Sequence, residues 1–600
     1  MSNAIRSHVL RKLIPGAAVV LAIWGAIVTF TGGVDARVIG IAIRSRDPFR
    51  ALVASLVLFL VASVVYRWSF VAMVDRLGAA LRRFAVPIAL GAGALLALHG
   101  IAYGSFGVGG SDAYGYVNQA YDWVEGRLPR PLPIPLALPF ETSDPMQVPL
   151  GYRVGQEPRT MVPTYAPGLP LLMAVALVAG KCGPFFVVPV LAAIFIWFTF
   201  RLGGLAGGPA VGLVAALILL TSPVVLYQAL WPMSDIPAGA LWTAAFVFAF
   251  GPSRRSAVAA GACAALGLLV RPNLAFVAAV PLVTLLIRAH GRDRWVKALS
   301  YCAPIVPVVV FVGALNTMWF GAPTNTGYGS TDELYHASNI WPNVKLNAAW
   351  LWSSQSPWLL LAFVPLLPPF GRTVNRGVLA MCVLLGLATF GSYASYSQFD
   401  AWWYLRFLMP AFGAFAVLVA SGIVAIARTI PQPFGRIAAT VALYLMVATT
   451  ISFASDKKVF GGLQAGERRY IDVGEFAADH LPPNAALFSG QHSGSLRFYS
   501  GRVTLRFDWV KPEWAAGVTA AIEHAGLHPY LIVDDWEIAQ VRSQFGLAPD
   551  APLPWPILAR MRELGGLTVF DMATKPAPPT PIALEPVSRH WCDARRRAPI

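Results

Sequence analysis

The chain has 600 residues, of which 56% are hydrophobic and only 13% are charged. Soluble domains average about 45–50% apolar and about 25% charged residues, so this composition excludes a soluble enzyme, and the large apolar content excludes a disordered chain. The net charge of +16 does not indicate nucleic acid as a partner. Its arginines cluster between apolar runs, which is the positive-inside pattern of membrane proteins.

Apolar runs recur along the first three quarters of the chain. A membrane-spanning helix takes about 20 apolar residues, and we expect about thirteen such helices. The first run follows Arg6, Arg11 and Lys12. It is long and no A-x-A site follows it, which favours an uncleaved helix over a signal peptide. The runs lie at 13–30, 51–66, 85–103, 184–200, 209–228, 236–251, 256–270, 274–288, 299–318, 357–370, 377–395, 408–427 and 437–454.

The positions of Lys and Arg predict the orientation of the chain. With a cytoplasmic N-terminus and thirteen spans, the Arg-rich loops all lie inside, and the C-terminal segment lies outside. The short apolar stretch 166–180 would invert the later loops if it crossed, so we interpret it as a re-entrant or interfacial helix. The loop 104–183 is then extracytoplasmic, and ordered loops of this length usually carry function.

An acidic residue opens a predicted helix in this outside loop. Asp112 precedes apolar residues at helical spacing, which predicts an amphipathic helix that lies flat on the membrane and ends near Gly126. The apolar positions are Ala113, Tyr116, Val117, Ala120, Tyr121 and Val124. Asp112 is either the N-cap of this helix or a functional carboxylate at the membrane interface.

Three further charged residues lie at the outer ends of predicted spans. Asp235 is also either an N-cap, which Pro237 would support, or a functional acid at membrane depth. Arg271 interrupts two apolar runs, and Arg406 follows a cluster of aromatic residues. Both arginines either reach toward lipid headgroups or bind a phosphate, to which guanidinium donates two parallel hydrogen bonds.

Several other residues are weaker candidates for ligand binding. Tyr114 follows Asp112, Tyr165 precedes the short apolar stretch, Tyr328 lies in a glycine-rich outside loop, and His492 follows a predicted strand. A single histidine in such a loop is more often structural. No nucleotide-binding motif or CxxC pair occurs, and we expect no metal, no cofactor and no disulfide framework.

Residues 455–600 regain the composition of a soluble protein. Three β-like runs alternate with predicted helices at 512–524 and 536–545, which is typical of a small α/β domain. The runs lie at 485–489, 530–534 and 567–571. We therefore expect two N-terminal transmembrane helices in 1–84, a transmembrane catalytic unit in 85–454, and an extracytoplasmic α/β domain in 455–600.

Five short motifs together resemble the GT-C superfamily of polytopic glycosyltransferases, such as the protein O-mannosyltransferases and the lipid A aminoarabinose transferases. They share an outside face and run in the family's order over roughly residues 85–430. The motifs lie at 111–126, 165–171, 222–235, 267–272 and 402–410. The resemblance implies a multi-pass α-helical fold, here with a C-terminal α/β domain, in a bacterial inner membrane.

The resemblance also implies a reaction. The donor would be a sugar on a polyprenyl phosphate in the membrane lipid, and the acceptor an extracytoplasmic glycan, lipid or protein. Asp112 would be the general base of an inverting attack, with Asp235 orienting the acceptor or the base. Arg271 and Arg406 would bind the donor phosphate. Two features depart from the family: Ala113 follows Asp112 where many relatives have a second acid, and two spans precede the motifs where many have one.

Three other hypotheses about the function of the chain stay open. A lipid or glycan transporter or flippase would need polar residues within the membrane and often repeated halves. An O-antigen-ligase-like enzyme would carry its large outside loop between late spans, whereas here the large loop comes early. A non-catalytic membrane scaffold should tolerate replacement of Asp112.

Overall fold

The computed structural model describes residues 3–31, 33–38, 41–45, 48–65, 67–134, 141, 143–329, 331–561, 566–573 and 582–583. Helices dominate the chain up to residue 480, and most of the strands follow. The α-helices are α1 (Asn3–Thr31), α2 (Pro48–Val65), α3 (Arg67–Arg83), α4 (Ala85–Tyr103), α5 (Asp112–Glu125), α6 (Ser143–Met146), α7 (Gly168–Ala176), α8 (Gly183–Gly207), α9 (Pro209–Leu220), α10 (Pro223–Gln228), α11 (Asp235–Ala249), α12 (Arg254–Val270), α13 (Ala279–Arg288), α14 (Gly291–Phe320), α15 (Thr331–Leu334), α16 (Ile340–Gln355), α17 (Pro368–Gly371), α18 (Arg376–Gly391), α19 (Met409–Thr429), α20 (Phe434–Asp456), α21 (Gly462–His480), α22 (Ser493–Ser500), α23 (Ala515–His524) and α24 (Ile538–Gln544).

Short 3-10 helices and strands complete the described structure. The 3-10 helices are Leu177–Ala179, Pro272–Ala278, Ala337–Asn339, Pro357–Leu366, Trp402–Leu408, Phe507–Trp509, Pro512–Trp514 and Asp535–Glu537. The strands are β1 (Val34–Val38), β2 (Ile41–Ser45), β3 (Arg130–Pro131), β4 (Tyr152–Val154), β5 (Thr160–Pro163), β6 (Ala485–Phe488), β7 (Val503–Leu505), β8 (His528–Asp534), β9 (Ile557–Met561), β10 (Leu567–Asp571) and β11 (Ile582–Ala583).

The chain is a multi-pass membrane protein. Within the described residues, six helices are long and apolar enough to cross a bilayer: α2, α4, α8, α14, α20, and α19 with the 3-10 helix before it. Shorter apolar helices lie between them, and the expected total of about thirteen spans stays a prediction. Proline lies at two of the breaks, where it removes a backbone donor and clashes with the preceding turn.

Two predicted spans show this effect of proline. The run 209–228 is divided into α9 and α10 at Pro223, and the run 357–370 forms a 3-10 helix that contains Pro365 and ends before α17. Apolar composition predicted continuous helices here. The backbone instead breaks where proline removes the hydrogen bonds of an α-helix.

The Arg-rich loops meet at one end of the helix bundle. Arg428 donates hydrogen bonds to the carbonyl oxygens of Thr373 and Gly207, at 3.0 and 2.9 Å. Arg436 pairs with Asp75 at 2.6 Å. Loops that the sequence assigned to one side of the membrane therefore contact one another. The four charged candidates begin or end helices at the opposite end of the bundle.

Helix α19 forms the centre of the bundle and packs against α8, α9, α11 and α18. Small residues permit this packing. A Cβ atom at Gly413 would lie 2.9 Å from the hydroxyls of both Thr199 and Thr243. Without a hydrophobic driving force between helices in lipid, such close approach of backbones is a main source of association.

The C-terminal unit, which we define as residues 462–561 and 566–573, is built on a six-stranded sheet that β11 completes. The strand order is β11-β9-β10-β8-β6-β7, and β6 runs parallel to both of its neighbours. Helices α21 and α22 cover one face, and α23 and α24 cover the other. The strands predicted at 485–489, 530–534 and 567–571 are confirmed as β6, β8 and β10.

Helix α5 is buried on more sides than its sequence pattern indicated. The predicted helix is confirmed over Asp112–Glu125, and Gly126 ends it in the left-handed conformation at φ 64°. Its polar face is also enclosed, since Asp122 pairs with Arg130 at 3.1 Å and accepts the hydroxyl of Tyr152 at 2.5 Å. Val124, predicted on the apolar face, is 61% exposed. Contacts with other residues of the loop 104–183 therefore surround the polar face of α5 in place of solvent.

Candidate active site

Asp112 is the first residue of α5, and its side chain turns away from the helix. Tyr165 donates its hydroxyl to Oδ1 at 2.5 Å, and Arg406 donates Nη1 to Oδ2 at 3.1 Å. The N-cap position is held by Ser111 instead, without a side-chain capping bond. The carboxylate side chain is 27% exposed. The Asp112 carboxylate is therefore partly accessible to solvent and does not cap the helix.

Asp235 begins α11 in the same manner but lies deeper. Its Oδ1 accepts a hydrogen bond from Arg271 Nη2 at 2.6 Å, and its side chain is 1% exposed. Ser234 holds the N-cap position and makes no capping bond with its side chain. Arg271 lies at the end of α12, where the following Pro272 cannot continue the helix. The aspartate and the arginine thus form a buried ion pair at the outer ends of two helices.

The two ion pairs belong to one site. Ser234 Oγ accepts hydrogen bonds from Tyr116 at 2.9 Å and from Arg271 Nε at 2.8 Å. Met233, one residue earlier, contacts Arg406 Nη1 through its sulfur at 3.1 Å. The charges of Asp235 and Arg271 also act on Arg406. The structure therefore brings together the four charged residues that the sequence singled out.

Burial keeps the tyrosines of this site protonated. It raises the pKa of Tyr116 to about 12. Burial, and secondarily the charge of Asp112, raises the pKa of Tyr165 well above its usual range. The two rings pack 4.6 Å apart, centroid to centroid. Both residues therefore act as neutral hydroxyl donors, and they orient acceptor groups without adding charge.

Two polar atoms of the site are buried and make no hydrogen bond among the described residues. They are Arg406 Nε and Asp235 Oδ2. The Arg406 guanidinium also lies 5.3 Å from the ring centroid of Tyr404 and 5.5 Å from that of Phe407. A buried donor without a partner is costly, so a ligand oxygen that accepts from Nε would be favoured.

The weaker candidates divide into two groups. Tyr165 and Tyr328 lie at the site, with their rings in edge-to-face contact at 5.7 Å. Tyr114 and His492 do not face the acids. Tyr114 is fully buried against the C-terminal unit at Gly494. His492 is fully buried and hydrogen-bonds Asp534 at 3.2 Å.

Sequence reasoning missed two groups that hold Arg271. Ser234 stood next to a candidate acid, but serine before a helix is so common at caps that it gave no distinct signal. Tyr393 accepts from Arg271 Nη1 at 3.2 Å and comes from the end of an apolar run. Its position gave no signal at all, because a tyrosine there is typical of interfacial aromatic belts.

In the described part of the chain, metal binding and disulfide bonding depend on how His, Cys, Asp and Glu residues are grouped. There, no three His, Cys, Asp or Glu residues group as a metal site. Cys182 is disulfide-bonded, although the spacing of the cysteines indicated no disulfide framework. The signal was weak because Cys182 has no nearby cysteine in sequence. Cys263, Cys302 and Cys382 are free.

No protein-family model and no curated protein matches the chain. The chain does match solved structures. ArnT from Cupriavidus metallidurans in the apo state is similar over 82% of this chain and 98% of that chain, at 12% identity and a TM-score of 0.50. The same protein bound to undecaprenyl phosphate matches over 81% and 98%, at 12% identity and a TM-score of 0.49.

A third structure extends the set of neighbours. The arabinofuranosyltransferase AftD from Mycobacteria matches over 82% of this chain and 40% of that chain, at 14% identity and a TM-score of 0.48. At these identities the likeness concerns the fold. The resemblance that the order of the motifs indicated is confirmed at the level of the fold, which the chain shares with ArnT.

Proposed function

We propose that this protein is an inverting glycosyltransferase that transfers a sugar from a polyprenyl phosphate to an acceptor outside the cytoplasm. The observation that carries the proposal is the joining of a partly exposed carboxylate, Asp112, to Arg406 beside a second, buried pair. A base and a cation within one site suit a reaction that removes a proton at one atom and releases a phosphate at another.

Asp112 is the general base in this proposal. Its carboxylate takes the proton of the acceptor hydroxyl while that oxygen forms a bond to the anomeric carbon. The bond from this carbon to the phosphate oxygen breaks on the opposite face, so the configuration inverts. Tyr165 holds the carboxylate in place through its hydrogen bond of 2.5 Å.

Arg406 is the main phosphate ligand. Its Nε donor is free of partners among the described residues and can meet an oxygen of the leaving phosphate. Arg271 already bonds Ser234, Tyr393 and Asp235. It therefore supports the phosphate by its charge, and Asp235 fixes its position.

Two further observations support the proposed lipid carrier and the proposed location. ArnT, which shares the fold, has also been crystallised with undecaprenyl phosphate, and this makes an isoprenoid phosphate the carrier to test first. The disulfide at Cys182, at the end of the loop 104–183, suits an oxidising compartment. Together with the Arg-rich opposite end, it supports a bacterial inner membrane with the site and the C-terminal unit on the periplasmic or exterior side.

The test is radiolabelled sugar transfer by the purified protein in nanodiscs. Undecaprenyl phosphates that carry single hexoses or pentoses, and an undecaprenyl-linked preassembled glycan, serve as donors, and a membrane extract serves as acceptor. We expect Asp112→Asn to lower transfer at least about a hundredfold, the scale for losing a general base. The matched control is Asp144→Asn, which removes a half-exposed acid of the same loop whose nearest ion-pair contact is a loose 3.9 Å.

The outcomes separate the alternatives. Equal transfer by wild type and Asp112→Asn would remove Asp112 from the mechanism and move attention to Asp235. Transfer only from a preassembled lipid-linked glycan would favour the ligase-like reading. No transfer from any donor by folded protein would favour a transporter or a scaffold.

A further inference from the structure

The C-terminal unit presents the edge of its sheet at which α/β proteins usually bind ligands. Strand β6 has β7 on one side and β8 on the other, both parallel to it. The chain therefore leaves β6 toward one side and returns on the other. In open α/β sheets, ligands bind outside the carboxyl ends of the strands at such a point. The loop 489–492 follows β6 there.

This edge is occupied by the chain's own segment 108–110, which leads to Asp112. The Val108 amide donates to the Tyr499 hydroxyl at 2.9 Å. Gly109 lies so close to the ring of Tyr470 that a Cβ atom would overlap it. Gly110, at φ 57°, faces Gln491, whose Nε2 would lie 3.0 Å from a Cβ atom at this position. A loop of the membrane part thus lies against Tyr470, Tyr499 and Gln491, and Gln491 belongs to the loop that follows β6.

Contacts to the C-terminal unit continue beyond Asp112. The ring of Tyr114 covers Gly494 so closely that a side chain at this glycine would overlap it. Leu150 donates its amide to Ser493 Oγ at 3.2 Å. The segment before Asp112 and the Tyr114 ring after it therefore both lie against the C-terminal unit, while the carboxylate bonds Tyr165 and Arg406.

Gln491 is itself fixed by a network within the unit. Its side-chain amide donates to the Tyr470 hydroxyl at 3.0 Å, and its backbone amide donates to Glu537 Oε1 at 2.8 Å. Next to it, His492 hydrogen-bonds Asp534 at 3.2 Å. These bonds define the conformation of the loop, so the surface that receives Gly109 and Gly110 is preformed.

We propose that Tyr470 and Gln491 are positioning residues for Asp112, and that the C-terminal unit uses its ligand-binding edge to hold the catalytic segment. The proposal rests on the proposed role of Asp112 as base. A displacement of about 1 Å in a catalytic group can cost about a hundredfold in rate. Releasing the segment should therefore lower turnover while leaving the phosphate ligand Arg406 in place.

The first test measures the contact without any substrate. Hydrogen exchange of a peptide covering residues 105–116 is compared in wild type, Gln491→Ala and Tyr470→Ala. We expect at least tenfold faster exchange at the protected amides of this peptide in both variants. The matched control, Asn484→Ala, removes one hydrogen bond to Gly526 before the amino end of β6 and should leave this exchange unchanged. Unchanged exchange in both test variants would overturn the proposal.

The second test asks whether the effect acts through Asp112. With the donor that wild type uses, Gln491→Ala should lower kcat at least tenfold and keep KM within twofold. In the Asp112→Asn background it should add no further loss, because the positioned group is already absent. Gly109→Ala, whose methyl group would push residues 108–110 away from the Tyr470 ring, should also lower kcat at least tenfold and keep KM within twofold. Wild-type kcat in Gln491→Ala, or a loss that multiplies with that of Asp112→Asn, would contradict the proposal.

The two proposals fail in different ways. Full activity of Asp112→Asn would refute the general base and leave the hydrogen-exchange result to report on the contact alone. An inactive Asp112→Asn beside a fully active Gln491→Ala would refute only the positioning role.

Discussion

The buried pair of Asp235 and Arg271 should matter more to stability than the pair of Asp112 and Arg406. Asp235→Asn leaves the Arg271 guanidinium, 12% exposed, without its carboxylate. Breaking a buried ion pair by removing one partner costs about 3–5 kcal/mol, because the other charge stays buried. Arg271 keeps its bonds to Ser234 and Tyr393, so we expect the lower end, about 3 kcal/mol.

The same change at Asp112 should cost much less. Its side chain is 27% exposed. The asparagine carbonyl oxygen can still accept from Arg406, and its amide nitrogen can donate to the Tyr165 hydroxyl, which occupy the two oxygen positions of Asp112. We expect at most about 1 kcal/mol, the scale of solvent-screened pairs. The two isosteric substitutions should therefore separate stability from chemistry: Asp235→Asn lowers the unfolding temperature more, and Asp112→Asn abolishes transfer without comparable unfolding.

Thermal unfolding in nanodiscs, followed by the fluorescence of the 19 tryptophans at one scan rate, measures this difference. For large domains about 1 kcal/mol corresponds to about 2–4 °C, so Asp235→Asn should unfold roughly 5 °C or more below wild type. Asp235→Asn combined with Arg271→Met should recover at least half of the loss, because no buried charge remains. Unfolding of Asp235→Asn within about 1 °C of wild type, or no recovery in the double variant, would refute the reasoning.

Three further changes have defined outcomes. Tyr165→Phe removes the hydrogen bond that orients Asp112, and steady-state transfer should show kcat about tenfold lower at unchanged KM; a raised KM alone would contradict this. Arg406→Lys keeps the charge but loses the planar fork, so KM for the donor should rise about ten- to a hundredfold in initial-rate assays, whereas an unchanged KM would exclude it as the phosphate ligand. Burial raises the pKa of Glu467 from an ordinary 4.5 to about 7. Because the folded value is the higher one, the contribution of Glu467 to stability is complete below pH about 4.5 and is lost, by up to about 3 kcal/mol, as the pH rises to about 7. Glu467→Gln should remove this part of the pH dependence of unfolding measured at pH 5 and pH 8, and an equal dependence in both proteins would contradict it.

The sequence predicted the elements around the site well but not its geometry. Helix α5, strand β6 and the common end at which the Arg-rich loops meet follow from periodicity and charge, which are local properties. The pairing of Asp112 with Arg406 joins residues 294 positions apart. No local pattern encodes that contact, since it depends on how α5 and α19 are arranged in the bundle.

The burial of α5 was missed for a related reason. Its pattern of apolar residues predicted one covered face, but Asp122 on the other face is also enclosed. A buried carboxylate requires partners, and Arg130 and Tyr152 come from strands β3 and β4. Their proximity arises from β3, β4 and β5 pairing beneath the helix, and only the tertiary structure shows that.

Arg406 pairs with Asp112 and, in the proposed function, also binds the leaving phosphate. This double role affects the order of charge changes during transfer. Before reaction, two carboxylates balance two guanidinium groups, and a donor phosphodiester adds one negative charge. In the proposed transfer, Asp112 would end protonated and neutral, and the released phosphate monoester would approach a second negative charge. The total stays nearly constant, so the proton that Asp112 accepts also frees Arg406 for the leaving group. Base and leaving-group ligand would then operate as one exchange, in which Arg406 passes from the carboxylate to the phosphate as the bond breaks.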